Sequence, residues 1–252
     1  MMADCETERT LKRDALGRVE LLKRGDEFRI RRVACGSRVP LSRAVARVLA
    51  ARERKALETL DGRVAAPKLE LELAWSRAPS LGGTVPRPDG VLVREFVEGV
   101  ALCGAEALPR NFFDLLAAEV RRMHALGVCH NDLHKEQNVL VRPDGRPSLV
   151  DFQLASVHRP GSFTWRARVA EDLRHVEKHR RRYMRVGRGP EGAEIDVLAV
   201  AKPRRGPLAF AWRRVGKPLY NFVTRKLLRT RDGAEERRPS SGPWPRWTEP
   251  IA

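Results

Sequence analysis

Aromatic residues and cysteines are scarce in this 252-residue chain, and their scarcity excludes several kinds of protein. Aromatic side chains make up 6% of the sequence, so its core must be built mainly from leucine, valine and alanine. The four cysteines are scattered and form no C-x-x-C pair, which argues against a zinc ribbon or redox motif and favours reduced thiols in the cytosol. No apolar run is long enough to span a bilayer, and the charged first residues predict no secretory signal.

Positive charge is what the chain has in excess, with a formal net charge of +17. Such a field attracts anions, including nucleotides, acidic lipids, phosphorylated sugars and nucleic acid. Charge alone does not choose among them, so we predict no specific nucleic-acid partner. The length and the 42% hydrophobic content fit one domain or two modest lobes with a real core.

The most informative stretch is residues 124–155, where Asp132, Asn138 and Asp151 lie beside two short apolar runs. Pro143-Asp144-Gly145 is a turn sequence between these runs, which predicts a β-hairpin. Asn138 would lie at the entrance of this hairpin and Asp151 at its exit, on the same end. Carboxylate and amide oxygens held on a rigid hairpin suit a hard cation, and Asp132 would be a base beside it. The alternative is that all three are turn and cap residues of an ordinary hairpin.

This pattern, His130-x-Asp132 followed by Asn138 and Asp151-Phe152-Gln153, resembles the catalytic loop and metal motif of protein-kinase-like enzymes. The resemblance implies that Asp132 accepts the proton of an attacking hydroxyl. It implies that Asn138 and Asp151 hold Mg²⁺ on the phosphates of ATP. His130 would be structural and would brace the loop.

The loop departs from the protein-kinase pattern in two respects. Asn138 lies six positions after Asp132 where protein kinases have five, so the loop must bulge, and Gln153 replaces a glycine. A histidine two positions after the aspartate, here His134, resembles the loop of the aminoglycoside and choline kinase branch. The whole loop also resembles that of bacterial kinases related to the RIO and lipopolysaccharide-core kinases. In this resemblance His134 and Lys135 would steady the transferring phosphoryl group.

The amino-terminal region resembles a kinase N-lobe without its glycine-rich loop, since no G-x-G-x-x-G sequence is present. Residues 18–23 and 27–33 predict two strands, and residues 41–60 predict a helix. The phosphate-binding lysine slot falls on Arg31, with Arg32 as the alternative, and the helix glutamate that pairs with it falls on Glu53. The other interpretation is a solvated strand face for the arginines and a surface ion pair for Glu53.

Residues 69–75 predict another strand, and residues 91–99 resemble the last N-lobe strand and the hinge. Backbone groups of Glu95 and Val97 would read the adenine of ATP there. Residues 108–126 predict a strong helix, which Gly127 ends.

Beyond residue 155 the usual long activation segment is missing, and residues 169–179 predict a helix. Asp172 in this helix either braces the catalytic loop or is a plain first-turn aspartate. The amphipathic residues 208–228 either cover the core or contact an anionic membrane surface. From Arg231 the composition predicts a disordered tail.

Together these features predict an α+β, two-lobed, protein-kinase-like fold, with a small antiparallel N-lobe over residues 1–98 and a mainly helical C-lobe over residues 99–230. The predicted function is ATP- and Mg²⁺-dependent phosphoryl transfer to a hydroxyl. A RIO-like serine/threonine protein kinase is the first choice, and a kinase of a lipopolysaccharide-core sugar or another small substrate follows closely. A pseudokinase that binds a partner is the other class. We expect a cytoplasmic protein, with the inner membrane as its candidate contact surface.

Overall fold

The computed structural model describes residues 5–37, 40–186, 238–239 and 242–251, and in them the chain forms two compact units. The first unit comprises residues 5–61 and 67–96 of the described chain. The second comprises residues 62–66 and the described residues from 97 onward. Both mix helices with antiparallel strands, which is compatible with the predicted kinase-like fold. Within the described ranges, no helix has the length and apolar character needed to cross a membrane.

A four-stranded antiparallel sheet organises the first unit, with its strands in the order β1-β2-β3-β4. Its elements are β1 (Glu6–Asp14), β2 (Gly17–Arg24), β3 (Glu27–Val33), α1 (Ser42–Leu60), α2 (Leu73–Arg77) and β4 (Val91–Glu95). The strands predicted at 18–23 and 27–33 and the helix predicted at 41–60 are confirmed. Strand β1 lies in a polar stretch for which the sequence predicted no element.

The strand predicted at residues 69–75 is wrong. Leu69 makes one isolated bridge to Arg94, and the chain then turns into the short helix α2. Trp75 on this helix is completely buried and packs with Leu22 and other apolar residues of the sheet. Burial of this large ring overrides the strand propensity of the surrounding residues, because it removes roughly 150–250 Å² of mainly apolar surface from water.

The second unit contains two long helices and several short strand pairs. Its elements are β5 (Val100–Ala101), β6 (Ala107–Pro109), α3 (Phe112–Ala125), β7 (Val128–Cys129), β8 (Val139–Val141), β9 (Pro147–Leu149), β10 (Ser156–Val157), α4 (Phe163–Val186) and β11 (Arg246–Thr248). Helix α3 lies within the predicted 108–126, and Gly127 follows it with a positive φ of 83°. A Cβ at Gly127 would lie 2.4 Å from the carbonyl oxygen of His158, so only glycine fits this turn.

The predicted hairpin is confirmed. Strands β8 and β9 pair antiparallel with Val139 opposite Leu149, and the amide of Gly145 closes the turn on the carbonyl of Arg142. This register places Asn138, just before β8, and Asp151, just after β9, on the same end of the hairpin.

The carboxyl-terminal part of the chain differs from the sequence prediction. The predicted tail begins at Arg231, but residues 246–248 form β11, which pairs in parallel with β6, and Arg238 is buried. Helix α4 runs well beyond the predicted 169–179, from Phe163 to Val186. The amphipathic segment 208–228 lies outside the described residues.

Candidate catalytic and metal site

The loop between β7 and β8 holds Asp132 in a cage of donor groups. Asp132 is 3% exposed. Lys135 Nζ lies 3.0 Å from one carboxylate oxygen, and His134 Nδ1 lies 3.1 Å from the other. Asn138 donates from Nδ2 to the same oxygen as Lys135 and to the Asp132 carbonyl, both at 3.0 Å. The structure therefore brings together Asp132, His134, Lys135 and Asn138, all of which the sequence placed in the site.

Two opposing effects set the protonation of Asp132. Burial raises the pKa of this carboxyl, but the hydrogen bond from His134 and the positive charge of Lys135 outweigh it, so the pKa lies below its usual value. Asp132 is therefore ionised at neutral pH. A carboxylate of low basicity is suited to accepting a hydrogen bond from a hydroxyl and orienting it.

The extra residue between Asp132 and Asn138 is accommodated by a short 3₁₀ turn at Glu136–Asn138. The amide of Asn138 donates to the carbonyl of Lys135 at 3.2 Å within this turn. Because Nδ2 of Asn138 is bound to Asp132, the amide oxygen is the atom of this side chain that can coordinate a metal. The predicted bulge is thus a tightened turn that orients the amide.

Asp151 lies where the hairpin ends, in a left-handed conformation with φ 65° and ψ 66°. The neighbouring Val150 donates its amide to the carbonyl of Asn138 at 3.0 Å, which joins the two predicted metal ligands through the backbone. Gln153, at the position of the missing glycine, donates to Asp151 Oδ1 at 2.7 Å. A strained backbone at a functional side chain is common where the surrounding structure holds it in place.

His130 connects the catalytic loop with the hairpin exit. Its Nε2 lies 3.0 Å from the carbonyl oxygen of Val150, and its ring packs on Phe152 with centroids 4.7 Å apart. Since a carbonyl only accepts, Nε2 must carry the hydrogen. The base loop and the Asp151 turn are therefore held together by a fully buried imidazole, which is the structural role that the resemblance implied.

Asp172 on α4 braces the catalytic loop, so the first of its two predicted roles is correct. Oδ2 accepts the amide of His130 at 2.8 Å, and Oδ1 accepts the amide of Asn131 at 2.9 Å. Asp172 lies deep in α4 rather than in its first turn, and its side chain is fully buried. Asn131 itself adopts a positive φ of 64°, and its side chain donates to the Leu154 carbonyl at 2.8 Å.

His124, Cys129 and Asp172 also lie close enough to suggest a buried metal site, with ligand atoms within 4.8 Å of one another. The oxygens of Asp172 are already acceptors for two backbone amides and for His124 Nε2 at 3.1 Å. Burial raises the pKa of the Cys129 thiol to about 12, and the negative charge of Asp172 contributes to the same shift. This cluster is best explained as the hydrogen-bonding support of the loop, which the sequence did not fully reveal.

The residues on the hairpin fit a magnesium ion. An amide oxygen from Asn138 and carboxylate oxygens from Asp151 are the hard ligands that Mg²⁺ prefers, and Mg²⁺ usually keeps several waters besides one or two carboxylates. Asn138 is buried and oriented by Asp132, whereas Asp151 is half-buried at the turn. The hydrogen bond from Gln153 helps to orient the Asp151 carboxylate at the turn.

In the first unit, the structure corrects the expected arginine pairing. Arg31 and Arg32 are neighbours on β3, so their side chains lie on opposite faces of the sheet. Arg31 is fully buried against Glu20, with Nε 2.8 Å from the carboxylate. Arg32 Nε lies 2.9 Å from the buried Glu53 on α1, and Arg94 Nε lies 3.2 Å from the other Glu53 oxygen. The cation that pairs with the helix glutamate is therefore Arg32, the predicted alternative, joined by Arg94, which the sequence analysis missed.

The two predicted hinge residues differ in their backbone surroundings. The amide of Glu95 donates to the carbonyl of Lys68 at 2.8 Å, so this donor is engaged within the first unit. Glu95 is an exposed residue at the end of β4, and its side chain accepts the amide of Lys68 at 3.3 Å. Val97 follows outside any strand and stays a candidate for adenine contact.

Comparison with known proteins gives one family match. Residues 97–187, less than half of the chain, match the model of the lipopolysaccharide kinase (Kdo/WaaP) family. No curated protein matches the chain. The matched segment contains the catalytic loop, the hairpin and all of α4, and it favours the lipopolysaccharide branch of the predicted resemblance over the RIO-like branch. Over residues 97–187 the chain is thus similar to a protein-kinase-like family of ATP-dependent kinases with hydroxyl acceptors, the lipopolysaccharide kinase (Kdo/WaaP) family.

Proposed function

We propose that this protein transfers the γ-phosphoryl group of ATP to a hydroxyl of a lipopolysaccharide-core sugar. The observation that carries the proposal is the joint geometry of Asp132 and Asn138 beside Asp151, within a segment that matches a lipopolysaccharide kinase family. Asp132 accepts the hydrogen bond of the sugar hydroxyl, and the oxygens of Asn138 and Asp151 hold Mg²⁺. Bound Mg²⁺ neutralises charge on the ATP phosphates.

His134 and Lys135 act next to this base. Lys135 lies against Asp132 and is only partly exposed, so its ammonium adds positive charge near the acceptor hydroxyl. His134 is more exposed, and it contacts the other oxygen of Asp132. We assign both groups to stabilising the transferring phosphoryl group, with a smaller effect on turnover than Asp132.

The acceptor is proposed to be compact because little chain lies between the hairpin and α4. Strand β10 ends at Val157 and α4 begins at Phe163, so the intervening segment is too short for the extended platform on which protein kinases bind a peptide. The net charge of +17 favours contact with an anionic surface, which fits an acceptor carried at the cytoplasmic side of the inner membrane.

In the first unit we propose Arg32 as the phosphate-binding cation, in place of Arg31. Arg32 lies against the buried Glu53 of α1, which is the pairing that the kinase resemblance implies for the phosphate-binding cation, and Arg94 shares the same carboxylate. Val97 stays the proposed contact for adenine.

The test is phosphate transfer from Mg-ATP to purified lipopolysaccharide-core oligosaccharide, with a mixed protein panel in parallel. The matched variants are Asp132→Ala and Asp144→Ala, since Asp144 is an exposed carboxylate in the hairpin turn. We expect sugar labelling that Asp132→Ala lowers by about 10²–10⁴-fold and Asp144→Ala leaves unchanged. Labelling of protein serine or threonine instead would support the RIO-like alternative. Binding of ATP with no transfer to any acceptor would indicate a pseudokinase.

A further inference from the structure

The carboxyl-terminal segment, defined here as the described residues 238–239 and 242–251, packs on the catalytic loop through a second buried carboxylate. Glu136 lies in the 3₁₀ turn between Asp132 and Asn138 and is fully buried. Burying a carboxylate is costly unless its oxygens meet donors and a positive charge. The groups that satisfy Glu136 therefore determine how firmly this turn is held.

Two of those groups come from α4, and a third side chain of this helix contacts the loop backbone. Arg182 forms a short ion pair with Oε1 of Glu136, and the Tyr183 hydroxyl donates to Oε2 at 2.8 Å. His179 Nε2 lies 2.8 Å from the carbonyl of Leu133, and burial lowers the pKa of this imidazole to about 4. His179 is thus neutral at pH 7, with its hydrogen on Nε2 donated to the loop backbone.

The carboxyl-terminal segment adds the remaining contacts. The amide of Arg238 donates to Oε2 of Glu136 at 3.2 Å, and Arg182 donates to the carbonyl of Arg238. The guanidinium of Arg238 donates to the carbonyls of Ala105 and Pro243, which fixes this residue between the segment and the body of the unit. Arg238 is 6% exposed, so these contacts are made away from water.

Two aromatic contacts and a strand hold the same segment in place. Trp244 packs edge-on against Tyr183 with ring centroids 5.3 Å apart, and Arg182 lies 5.8 Å from the Trp244 ring centroid. Strand β11 pairs with β6, and Asn111 makes two hydrogen bonds to the backbone of Ile251 at 2.7 and 3.0 Å. The segment is therefore integrated into the unit at both of its ends.

We infer that Arg238 is a positioning residue for phosphoryl transfer, acting through Glu136 on the turn that sets Asn138 against Asp132. Its guanidinium anchors the segment on the carbonyls of Ala105 and Pro243, and this anchor holds the Arg238 backbone amide against Glu136. Glu136 opens the 3₁₀ turn and Asn138 closes it, so a shift of the first displaces the second by a comparable amount. Misplacement of a catalytic group by about 1 Å can cost a hundredfold in rate. The inference rests on the proposed kinase function for its effect on turnover, but the coupling of segment and loop does not.

The test compares Arg238→Ala with Arg246→Ala in the full chain. Arg246 is an exposed residue of β11 in the same segment, and its backbone hydrogen bond to Glu106 does not need its side chain. We expect Arg238→Ala to speed hydrogen–deuterium exchange in peptides covering residues 131–141 and to leave peptides of β1–β4 unchanged. Turnover per bound Mg-ATP should fall about ten- to hundredfold, with binding stoichiometry retained. Arg238→Lys should recover part of both losses, whereas Arg246→Ala should match wild type.

A double-variant comparison separates positioning from simple loss of stability. If Arg238 acts through Glu136, then Arg238→Ala combined with Glu136→Gln should be no slower than the slower single variant. Should Arg238→Ala fail to fold, Trp244→Phe replaces it in both measurements, and its turnover should fall by about two- to threefold. The inference is overturned if hydrogen–deuterium exchange at residues 131–141 is the same in Arg238→Ala as in Arg246→Ala. If Trp244→Phe is used instead, the same comparison with Arg246→Ala decides. Wild-type protein that transfers no phosphate would refute the proposed function, while the exchange data would still decide the coupling.

Discussion

Replacing Asp172 with asparagine tests how strongly α4 holds the catalytic loop. The carboxylate accepts the amides of His130 and Asn131 on different oxygens, and an asparagine offers one oxygen and one NH₂ group. In either orientation of the new amide, one loop N–H therefore loses its acceptor and faces a donor. His124 can adapt by changing tautomer, but a backbone amide has no such alternative.

The expected cost follows from that single lost acceptor. Leaving a buried donor unsatisfied costs about 1–3 kcal/mol. For a protein of 150–250 residues, each 1 kcal/mol lowers the melting temperature by about 2–4 °C, so the loss should be about 2–12 °C. Because the loop that loosens carries Asp132, turnover of the folded protein should fall by about tenfold or more.

The matched control is Asp114→Asn on α3. Asp114 is 60% exposed and lies 2.9 Å from an exposed Arg180, and such surface pairs contribute about 0–1 kcal/mol. Thermal melts and kcat at saturating Mg-ATP, measured below the melting range, provide the comparison. If Asp172→Asn melts within about 1 °C of Asp114→Asn, or loses turnover only in proportion to its folded fraction, the bracing role is refuted.

Three further predictions concern the remaining groups of the candidate site. Arg32→Ala should weaken Mg-ATP binding, whereas Arg31→Ala should mainly lower the free energy of unfolding by about 3–5 kcal/mol, because it breaks a buried ion pair. Titration calorimetry measures the affinity for Mg-ATP, and urea unfolding measures the stability. Equal losses of affinity in the two variants would contradict the assignment. Asp151→Asn should abolish Mg²⁺-dependent nucleotide binding with a nearly unchanged melt, and surviving Mg²⁺ dependence would remove Asp151 from the ligand set. The low pKa of Asp132 keeps this carboxyl ionised at neutral pH, and the ionised form contributes to stability there. Both the charge and this stability are lost as pH falls through the lowered pKa. The kcat/KM profile should therefore show no acidic limb from Asp132 down to about pH 5. A wild-type limb above pH 5 that is absent from the residual activity of Asp132→Asn would contradict a lowered pKa.

Local sequence determined the hairpin, the helices α1 and α3, and the arrangement of the predicted catalytic and metal residues. Turn residues at Pro143–Gly145 and two short apolar runs are enough to fix the hairpin, because its partners are close along the chain. Helix periodicity is equally local, so α1 and α3 appear near their predicted positions. The spacing of Asp132, Asn138 and Asp151 carried the kinase resemblance, and the family match lies over the same region.

Tertiary structure decided what depends on burial and on partners far apart in sequence. Adjacent arginines look alike in sequence, but the register of β3 buries Arg31 against Glu20 and turns Arg32 to Glu53. The contact between Arg238 and Glu136 joins residues 102 positions apart, so no local pattern could reveal it. Such contacts form only when the surrounding unit removes both groups from water. Inside the folded unit an unpaired charge is costly, so the buried carboxylate requires a partner.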